Sequence, residues 1–213
     1  VPHHLADNAR SVSVSAVKKA DNSNACVPAF ASVSKAVAFA CSYQNPASGT
    51  LPVRVGGTAV SCGAGSQAVT LAFDTTGTAS TTVQYADVGQ VSLAATYTGS
   101  GNDAGLTMTG SDSFIAAPYT FALSAASGTR IAGVAFSATV TAQNISGAAT
   151  PNFGRETSPE GVTLGWVRTQ PQASGAVDGS FSGSAGSFAS GSATVSSFQW
   201  SEVGRGDLSA VLA

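Results

Sequence analysis

The chain contains few residues that could form a catalytic centre. Its two histidines are the adjacent pair His3 and His4, so a nucleophile–histidine–acid arrangement would have to be built at the very start of the chain. Adjacent residues of an extended chain point to opposite sides, so we interpret the pair as an exposed lead-in and not as a metal site. The eleven acids lie mostly in predicted turns, which do not pair carboxylates for glycoside chemistry. We expect no enzyme activity, no cofactor and no metal.

Three cysteines, Cys26, Cys41 and Cys62, could form a disulfide. Their spacing does not match the CxxC pairs of zinc sites. Cys41 and Cys62 each end an alternating apolar run, so two strands could bring their side chains together in a core. The sequence favours a Cys41–Cys62 disulfide over a pair that uses Cys26, and three reduced thiols are the remaining alternative.

Residues 152–160 are the densest polar stretch and the best candidate for an interaction surface. In this loop Asn152, Arg155 and Glu156 flank Phe153, which we expect to be exposed. Trp166, on the next predicted strand, is a further candidate contact. A solvated loop that pins the second domain explains the same pattern without a ligand, and we favour that interpretation.

Several short motifs match recognition sequences but have structural explanations. Arg205-Gly206-Asp207 spells the tripeptide read by integrins, yet it begins a predicted strand and not a protruding loop. Asn144-Ile145-Ser146 is an N-glycosylation sequon. The polar runs 21–24 and 102–103 carry oxygens that suit calcium but lack the full ligand set of a dedicated loop. We interpret all of them as turns or strand starts.

The composition predicts an exported all-β protein. Only 9% of the 213 residues are charged, where soluble domains average roughly 25%. Val, Thr, Ser and the 24 glycines suit strands and turns, whereas the usual helix formers are scarce. The nine Lys and Arg are scattered, which argues against nucleic acid as a partner. No apolar run approaches the roughly 20 residues that span a bilayer, so we expect no membrane insertion.

One sequence pattern occurs twice and sets the expected number of domains. It reads apolar, Gln, aromatic, small, acid, Val, Gly, three variable residues, Leu, small, Ala, and it begins at Val83 and again at Phe198. The interval is about the length of one β-sandwich domain. We interpret each copy as a hairpin, in which the glycine permits positive φ and the acid accepts backbone N–H groups.

Short alternating runs bounded by Gly, Pro or Asn cover both halves of the chain, as in a β-sandwich. We predict two tandem immunoglobulin-like β-sandwich domains, residues 1–117 with the cysteines and residues 118–213, joined by a linker at 116–118. The chain starts without a signal peptide and stops at Ala213 within a predicted strand. We therefore expect a fragment of a longer polypeptide, with the second domain truncated at its C-terminus.

Several segments resemble the C-terminal region of the MshQ-like proteins. They are residues 26–30, 39–50, 85–89, 150–156 and 200–204, of which Pro-Asn-Phe-Gly-Arg-Glu at 151–156 and Trp-Ser-Glu-Val-Gly at 200–204 are the most specific. These large bacterial proteins are encoded with type IV pilus genes of the mannose-sensitive haemagglutinin type, and many carry a concanavalin-like lectin domain upstream. The resemblance implies an extracellular protein of the bacterial surface or pilus, and it carries over no catalytic residue.

We therefore expect a non-enzymatic spacer or assembly module of a pilus-associated or cell-surface adhesin. Its partners would be other pilus or surface subunits, including further copies of itself, through strand addition at open sheet edges. The alternative is direct binding of a carbohydrate or host receptor through the 152–160 loop or Trp166. An aromatic-lined pocket beside that loop would favour binding, and a smooth Ser/Thr surface would favour a spacer.

Overall fold

A computed structural model describes residues 1–125 and 128–213, and the described chain is built almost entirely of β-strands. It divides into two compact units, Val1–Ala117 and Pro118–Ala213, called unit 1 and unit 2 below. Helical structure in the described residues is confined to one 3₁₀ turn, Gly101–Asp103. Nothing in that part of the chain is both helical and long and apolar enough to cross a bilayer. The predicted all-β fold class is confirmed.

Unit 1 contains eleven strands. They are β1 (His4–Leu5), β2 (Arg10–Ser15), β3 (Val17–Lys19), β4 (Cys26–Pro28), β5 (Val33–Asn45), β6 (Val53–Val55), β7 (Thr58–Val60), β8 (Gln67–Phe73), β9 (Thr78–Tyr85), β10 (Gly89–Thr98) and β11 (Thr107–Ala117). One sheet has the order β1-β11-β10-β5-β8 and the other the order β2-β9-β6-β7, while β3 and β4 form a separate pair. The pairs are antiparallel except for β1, which runs parallel to β11.

Alternating side chains fill the space between the two sheets of unit 1. In β8, Val69, Leu71 and Phe73 are buried while the residues between them are exposed, because successive side chains of a strand point to opposite faces. The core joins residues of both sheets, among them Phe39, Leu93 and Phe114 from the first and Val55, Val83 and Tyr85 from the second. Their burial supplies the main driving force for folding.

A disulfide joins Cys41 in β5 to Cys62, which follows β7, and so connects the two sheets of unit 1. The sequence separation of 21 residues implies a stabilisation of about 3 kcal/mol from the reduced entropy of the unfolded chain. Cys26 is exposed and free. Of the alternatives that the sequence leaves open, the structure therefore contains the Cys41–Cys62 pair.

Unit 2 contains six strands in its described residues. They are β12 (Thr120–Ala125), β13 (Phe136–Gln143), β14 (Val162–Gln170), β15 (Phe181–Ser182), β16 (Ser192–Trp200) and β17 (Arg205–Leu212). One sheet has the order β12-β13-β16-β15, and β14 pairs with β17 in a second. The buried core is smaller than in unit 1 and centres on Val140, Val195 and Phe198.

The repeated sequence pattern is not a hairpin, because it joins strands of different sheets. In unit 1 it connects β9 to β10, and in unit 2 it connects β16 to β17; neither pair shares a sheet. We call it the crossing turn, residues 86–89 in unit 1 and 201–204 in unit 2. A glycine with positive φ suits a hairpin and a crossing turn alike. The hairpin prediction is wrong because local sequence does not determine which strand becomes the neighbour.

Close packing explains the glycine in each crossing turn. Gly89 has φ +113°, and a Cβ there would lie 2.4 Å from the carbonyl oxygen of Asn45. Gly204 has φ +151°, and a Cβ there would lie 2.4 Å from the carbonyl oxygen of Gln170. The acid of the first copy, Asp87, is fully buried, and its Oδ1 accepts the Val88 N–H at 2.9 Å.

The expected linker at 116–118 is also corrected. Ala116 and Ala117 are the last residues of β11, which runs without a break from Thr107. The polar residues in its middle, Ser111 and Asp112, pair with β10 and point to solvent. A strand tolerates such residues where its surface is exposed, so they do not interrupt it.

Candidate functional site

Unit 2 carries a surface cavity lined by both tryptophans of the chain, and we call it the tryptophan groove. Its volume is about 620 Å³, within the range of ligand pockets in proteins. Its walls are the indoles of Trp166 and Trp200, the ring of Phe136, residues of the segment 128–134, and residues 202–206 at and after the crossing turn.

The two tryptophans come from different sheets. Trp166 lies in β14 opposite Leu208, and Trp200 is the last residue of β16. Their ring centroids are 4.7 Å apart at an interplanar angle of 39°. The Trp200 Nε1–H donates to the Asp178 carbonyl oxygen at 2.6 Å, which fixes that ring. The buried Nε1 of Trp166 has no hydrogen-bond partner among the described residues.

A glycine in β17 allows the Trp166 indole to lie against the backbone. A Cβ on Gly206 would be 2.3 Å from Cζ2 of Trp166. Gly206 is the central residue of the integrin-like tripeptide, and it pairs with Arg168 within the β14–β17 sheet. The tripeptide therefore lies in a paired strand with its glycine against an indole, which agrees with a structural interpretation of this motif.

Hydrogen bonds hold the segment 128–134 at the rim of the groove. The Gly133 N–H donates to the Trp200 carbonyl oxygen at 2.7 Å, and the Gln199 side-chain amide donates to the Gly133 carbonyl oxygen. Three aliphatic side chains remain at the surface around the groove: Ile131, Val134 and Val203, with exposures of 76%, 55% and 74%. Exposed aliphatic groups beside a cavity are typical of binding surfaces.

Two arginines and one acid contribute charge to the groove. The exposed Arg130 places its guanidinium 5.2 Å from the centroid of the Phe136 ring. Arg205 is exposed at the start of β17, and Glu202 lies in the crossing turn. Arg168 pairs with Asp178 at 2.7 Å, and both line a further cavity of about 430 Å³ that also contacts the two indoles.

The loop predicted as an interaction surface buries two of its residues, Asn152 and Phe153, inside unit 2. Phe153 is only 2% exposed and packs edge-on against Phe121 and Phe188, with centroid distances of 5.3 and 4.8 Å. The expectation that Phe153 is exposed is wrong, because its aromatic partners come from remote parts of the chain. Asn152 is 1% exposed and accepts a bond of 3.0 Å from Arg155.

Only part of the predicted site is accessible to a partner. Arg155 is exposed and Glu156 is half-buried, with a Glu156 carboxylate oxygen accepting the Gly154 N–H at 2.8 Å. Trp166 lines the tryptophan groove, whose lining includes none of residues 152–156. The structure therefore does not bring Trp166 and the loop together in that cavity. The sequence analysis named Trp166 as a candidate contact but interpreted Trp200 only as part of a turn motif. The chain has only two tryptophans, and this rarity could have identified Trp200 as a second candidate.

His4 is not part of an exposed lead-in, which corrects that expectation. It is 6% exposed, stacks on Phe114 with ring centroids 5.0 Å apart, and shares a hydrogen bond of 2.9 Å between its Nδ1 and the Pro2 carbonyl oxygen. Burial lowers the pKa of His4 below its ordinary value of 6.5. His3 points the other way, and its Nδ1 accepts the Ile115 N–H at 2.9 Å.

The sequon and one calcium candidate are occupied by structural contacts. Asn144 is 3% exposed, and its Oδ1 accepts bonds from Ser146 and from the Ala148 N–H, so it closes a turn. Asp103 binds Lys35 and accepts a bond of 2.6 Å from the Tyr97 hydroxyl. The bonds from Lys35 and Tyr97 lower the pKa of Asp103. Within 1–125 and 128–213, no three His, Cys, Asp or Glu residues cluster closely enough to hold a metal ion.

Comparison with known proteins gives one family match. Residues 1–111, more than half of the chain, match the family described as "Domain of unknown function (DUF6701), first Ig-like domain". No curated protein matches the chain. Among solved structures, the "D0-D1 domain of Intimin" is 18% identical over 99% of this chain and 87% of that chain, with a TM-score of 0.28. A TM-score this low carries no argument about fold or function.

Proposed function

Because this chain belongs to the DUF6701 family through its first Ig-like domain, we propose that it is a non-enzymatic structural module of a bacterial surface protein. The observation that carries the proposal is the sandwich of unit 1, whose two sheets are linked by the Cys41–Cys62 disulfide. Disulfides persist in oxidising compartments outside the cytosol, which supports an extracellular location.

The module acts as a spacer or assembly domain of a pilus-associated adhesin. The resemblance of residues 151–156 and 200–204 to the MshQ-like proteins supports the connection with type IV pili. Assembly with pilus subunits, surface subunits or further copies is supported by an open sheet edge. Strand β11 pairs with β1 only at Ala116 and Ala117, so most of its outer edge carries no strand partner in the described residues.

A replacement experiment tests the spacer role. In the bacterium that produces this protein, residues 1–213 are replaced by two unrelated Ig-like domains of the same total length. A spacer tolerates the replacement, so surface display and adhesion of the cells should be retained. Loss of adhesion with normal surface display would contradict the spacer role and favour specific binding by this chain.

Direct binding of a carbohydrate or host receptor is a second candidate function. The tryptophan groove favours it, because a spacer with a smooth surface needs neither a cavity of about 620 Å³ lined by two indoles nor exposed aliphatic groups around it. Binding of cells or glycan arrays by the purified chain, lost in Trp166→Ala, would support this candidate. Binding that persists in Trp166→Ala would contradict the groove as the contact.

A further inference from the structure

We propose that the tryptophan groove binds an acidic segment of a partner protein, which packs an apolar side chain against the groove and places a carboxylate beside Arg205. The proposal narrows the second candidate function and rests on it. It is independent of the spacer role, which needs no groove.

The rim of the groove indicates a protein partner and not a sugar. Ile131, Val134 and Val203 are each more than half exposed, and their aliphatic side chains cannot donate or accept hydrogen bonds. These aliphatic groups offer the hydroxyl groups of a sugar no hydrogen bond, whereas an apolar peptide side chain gains free energy by covering them. The apolar rim therefore matches a peptide that carries aliphatic or aromatic side chains.

The centre of the groove has the composition of a protein-binding hot spot. Tryptophan and arginine are the residues that most often dominate binding energy at interfaces, and here Trp166, Trp200, Arg130 and Arg205 line one cavity.

The charges at the groove select an acidic segment. Two arginines and one glutamate leave a local excess of one positive charge, whereas the whole chain has a net charge of −2. Arg205 is exposed and has no ion-pair partner in the part of the chain that the structure describes. Guanidinium groups bind carboxylates through two parallel hydrogen bonds, so an Asp or Glu of the partner fits this position.

Tryptophan fluorescence provides a direct test, because Trp166 and Trp200 are the two tryptophans of the chain and both line the groove. The full chain is titrated with the peptide acetyl-Leu-Asp-Ile-Asp-Leu-amide and with its neutral match, acetyl-Leu-Asn-Ile-Asn-Leu-amide. We expect a saturable change in emission with the acidic peptide, at least about tenfold weaker binding of the neutral peptide, and weakening by salt.

Matched variants locate the contact. Arg205→Gln should weaken binding of the acidic peptide roughly tenfold, while Arg54→Gln, an exposed arginine of unit 1, should leave it unchanged. Val203→Ser should weaken both peptides, while Val177→Ser, which changes a valine of similar exposure outside the groove, should weaken neither. These positions are exposed, so the variants are expected to fold, and the urea unfolding curve checks this.

Three outcomes would overturn the proposal: no emission change with the acidic peptide, equal binding of the two peptides, or saturation by sialyllactose in the absence of any response to peptide. The last outcome would leave the second candidate function in place with a sugar as ligand. None of the three affects the domain-replacement result that tests the spacer role.

Discussion

Phe153 and His4 are both enclosed by aromatic side chains that are remote in the sequence. Phe153 contacts Phe121 and Phe188, and His4 stacks on Phe114. Exposed polar residues lie close by in the sequence, Arg155 near Phe153 and His3 beside His4, so the local sequence resembles an exposed segment. Their burial makes both residues part of the structural core and removes them from the set of groups that a ligand could reach.

Replacement of Phe153 tests whether its loop is structural. Phe153→Ala removes a buried aromatic ring and leaves a cavity, so the free energy of unfolding should fall by about 3–5 kcal/mol. Urea denaturation of the full chain, followed by tryptophan fluorescence, measures this change in unit 2. Tyr119→Ala, at an aromatic residue that is 52% exposed, is the control and should cost about 1 kcal/mol or less. A decrease in the free energy of unfolding below 1 kcal/mol in Phe153→Ala would contradict a structural role of this loop.

Stability should fall in mild acid because of His4. Its folded pKa is lowered below the ordinary 6.5, so the folded chain binds fewer protons than the unfolded chain as pH falls. The contribution is fully present above about pH 6.5 and is lost as pH falls toward the folded pKa. Urea midpoints of unit 1 between about pH 7 and pH 5 measure the slope.

Two histidine variants separate this effect from general acid sensitivity. His4→Phe keeps a ring against Phe114 and removes the titrating group, so the slope in that pH range should flatten. His3→Asn changes the exposed neighbour and should keep the slope. An unchanged slope in His4→Phe would show that another group is responsible.

The crossing turn is the element that gives both units two layers. It carries the chain from β9 to β10 in unit 1 and from β16 to β17 in unit 2, each time between different sheets. The following strand then buries its apolar face against the sheet that contains the preceding strand, with Leu93 in the core of unit 1 and Leu208 packed against that of unit 2. The repeated pattern therefore marks the point at which the chain passes from one sheet to the other. It does not mark two strands that pair with each other.

An alanine scan of two glycines tests the crossing turn. Gly89→Ala places a Cβ 2.4 Å from the Asn45 carbonyl oxygen in addition to its strained φ, whereas Gly57→Ala meets no atom within 4 Å. We expect Gly57→Ala to cost about 1–2 kcal/mol and Gly89→Ala at least about 2 kcal/mol more. Urea denaturation measures both. Equal losses of stability in the two variants would mean that backbone strain alone explains why position 89 is a glycine.

At the scale of the whole molecule, the two units differ in how they are stabilised. Unit 1 has the larger core and the Cys41–Cys62 disulfide, while unit 2 has a smaller core, both tryptophans and no cysteine. The disulfide therefore lies in unit 1 and the tryptophan groove in unit 2. The contrast also provides separate spectroscopic signals, since tryptophan emission reports unit 2 alone.

Reduction of the disulfide should affect unit 1 alone. With a reductant, or in the double variant Cys41→Ser/Cys62→Ser, unit 1 should lose about 3 kcal/mol of stability. The urea transition seen by far-ultraviolet circular dichroism should then shift, while the transition seen by tryptophan fluorescence stays in place. Cys26→Ser is the control and should change neither transition. A parallel shift of both signals would mean that the units unfold as one body.

Much of the architecture could be predicted from the sequence. Period-two alternation identified the strands, from Val69, Leu71 and Phe73 in β8 to the run that ends at Cys41, because a strand placed on a core must bury every second side chain. Low charge and abundant Val, Thr and Gly determined the all-β class. These features are local, so they can be seen without knowing which strands are neighbours.

Tertiary structure alone decided the pairing of strands and the composition of the candidate site. Strand β10 follows β9 directly in the chain, yet it pairs with β5 and β11 in the other sheet. The tryptophan groove is lined by Phe136, Trp166 and Trp200 together with residues of the segments 128–134 and 202–206, which are far apart in the sequence. Alternation tells which face of a strand is apolar but not what covers it. Long-range packing therefore buried Phe153 and left the surface around Trp166 and Trp200 open.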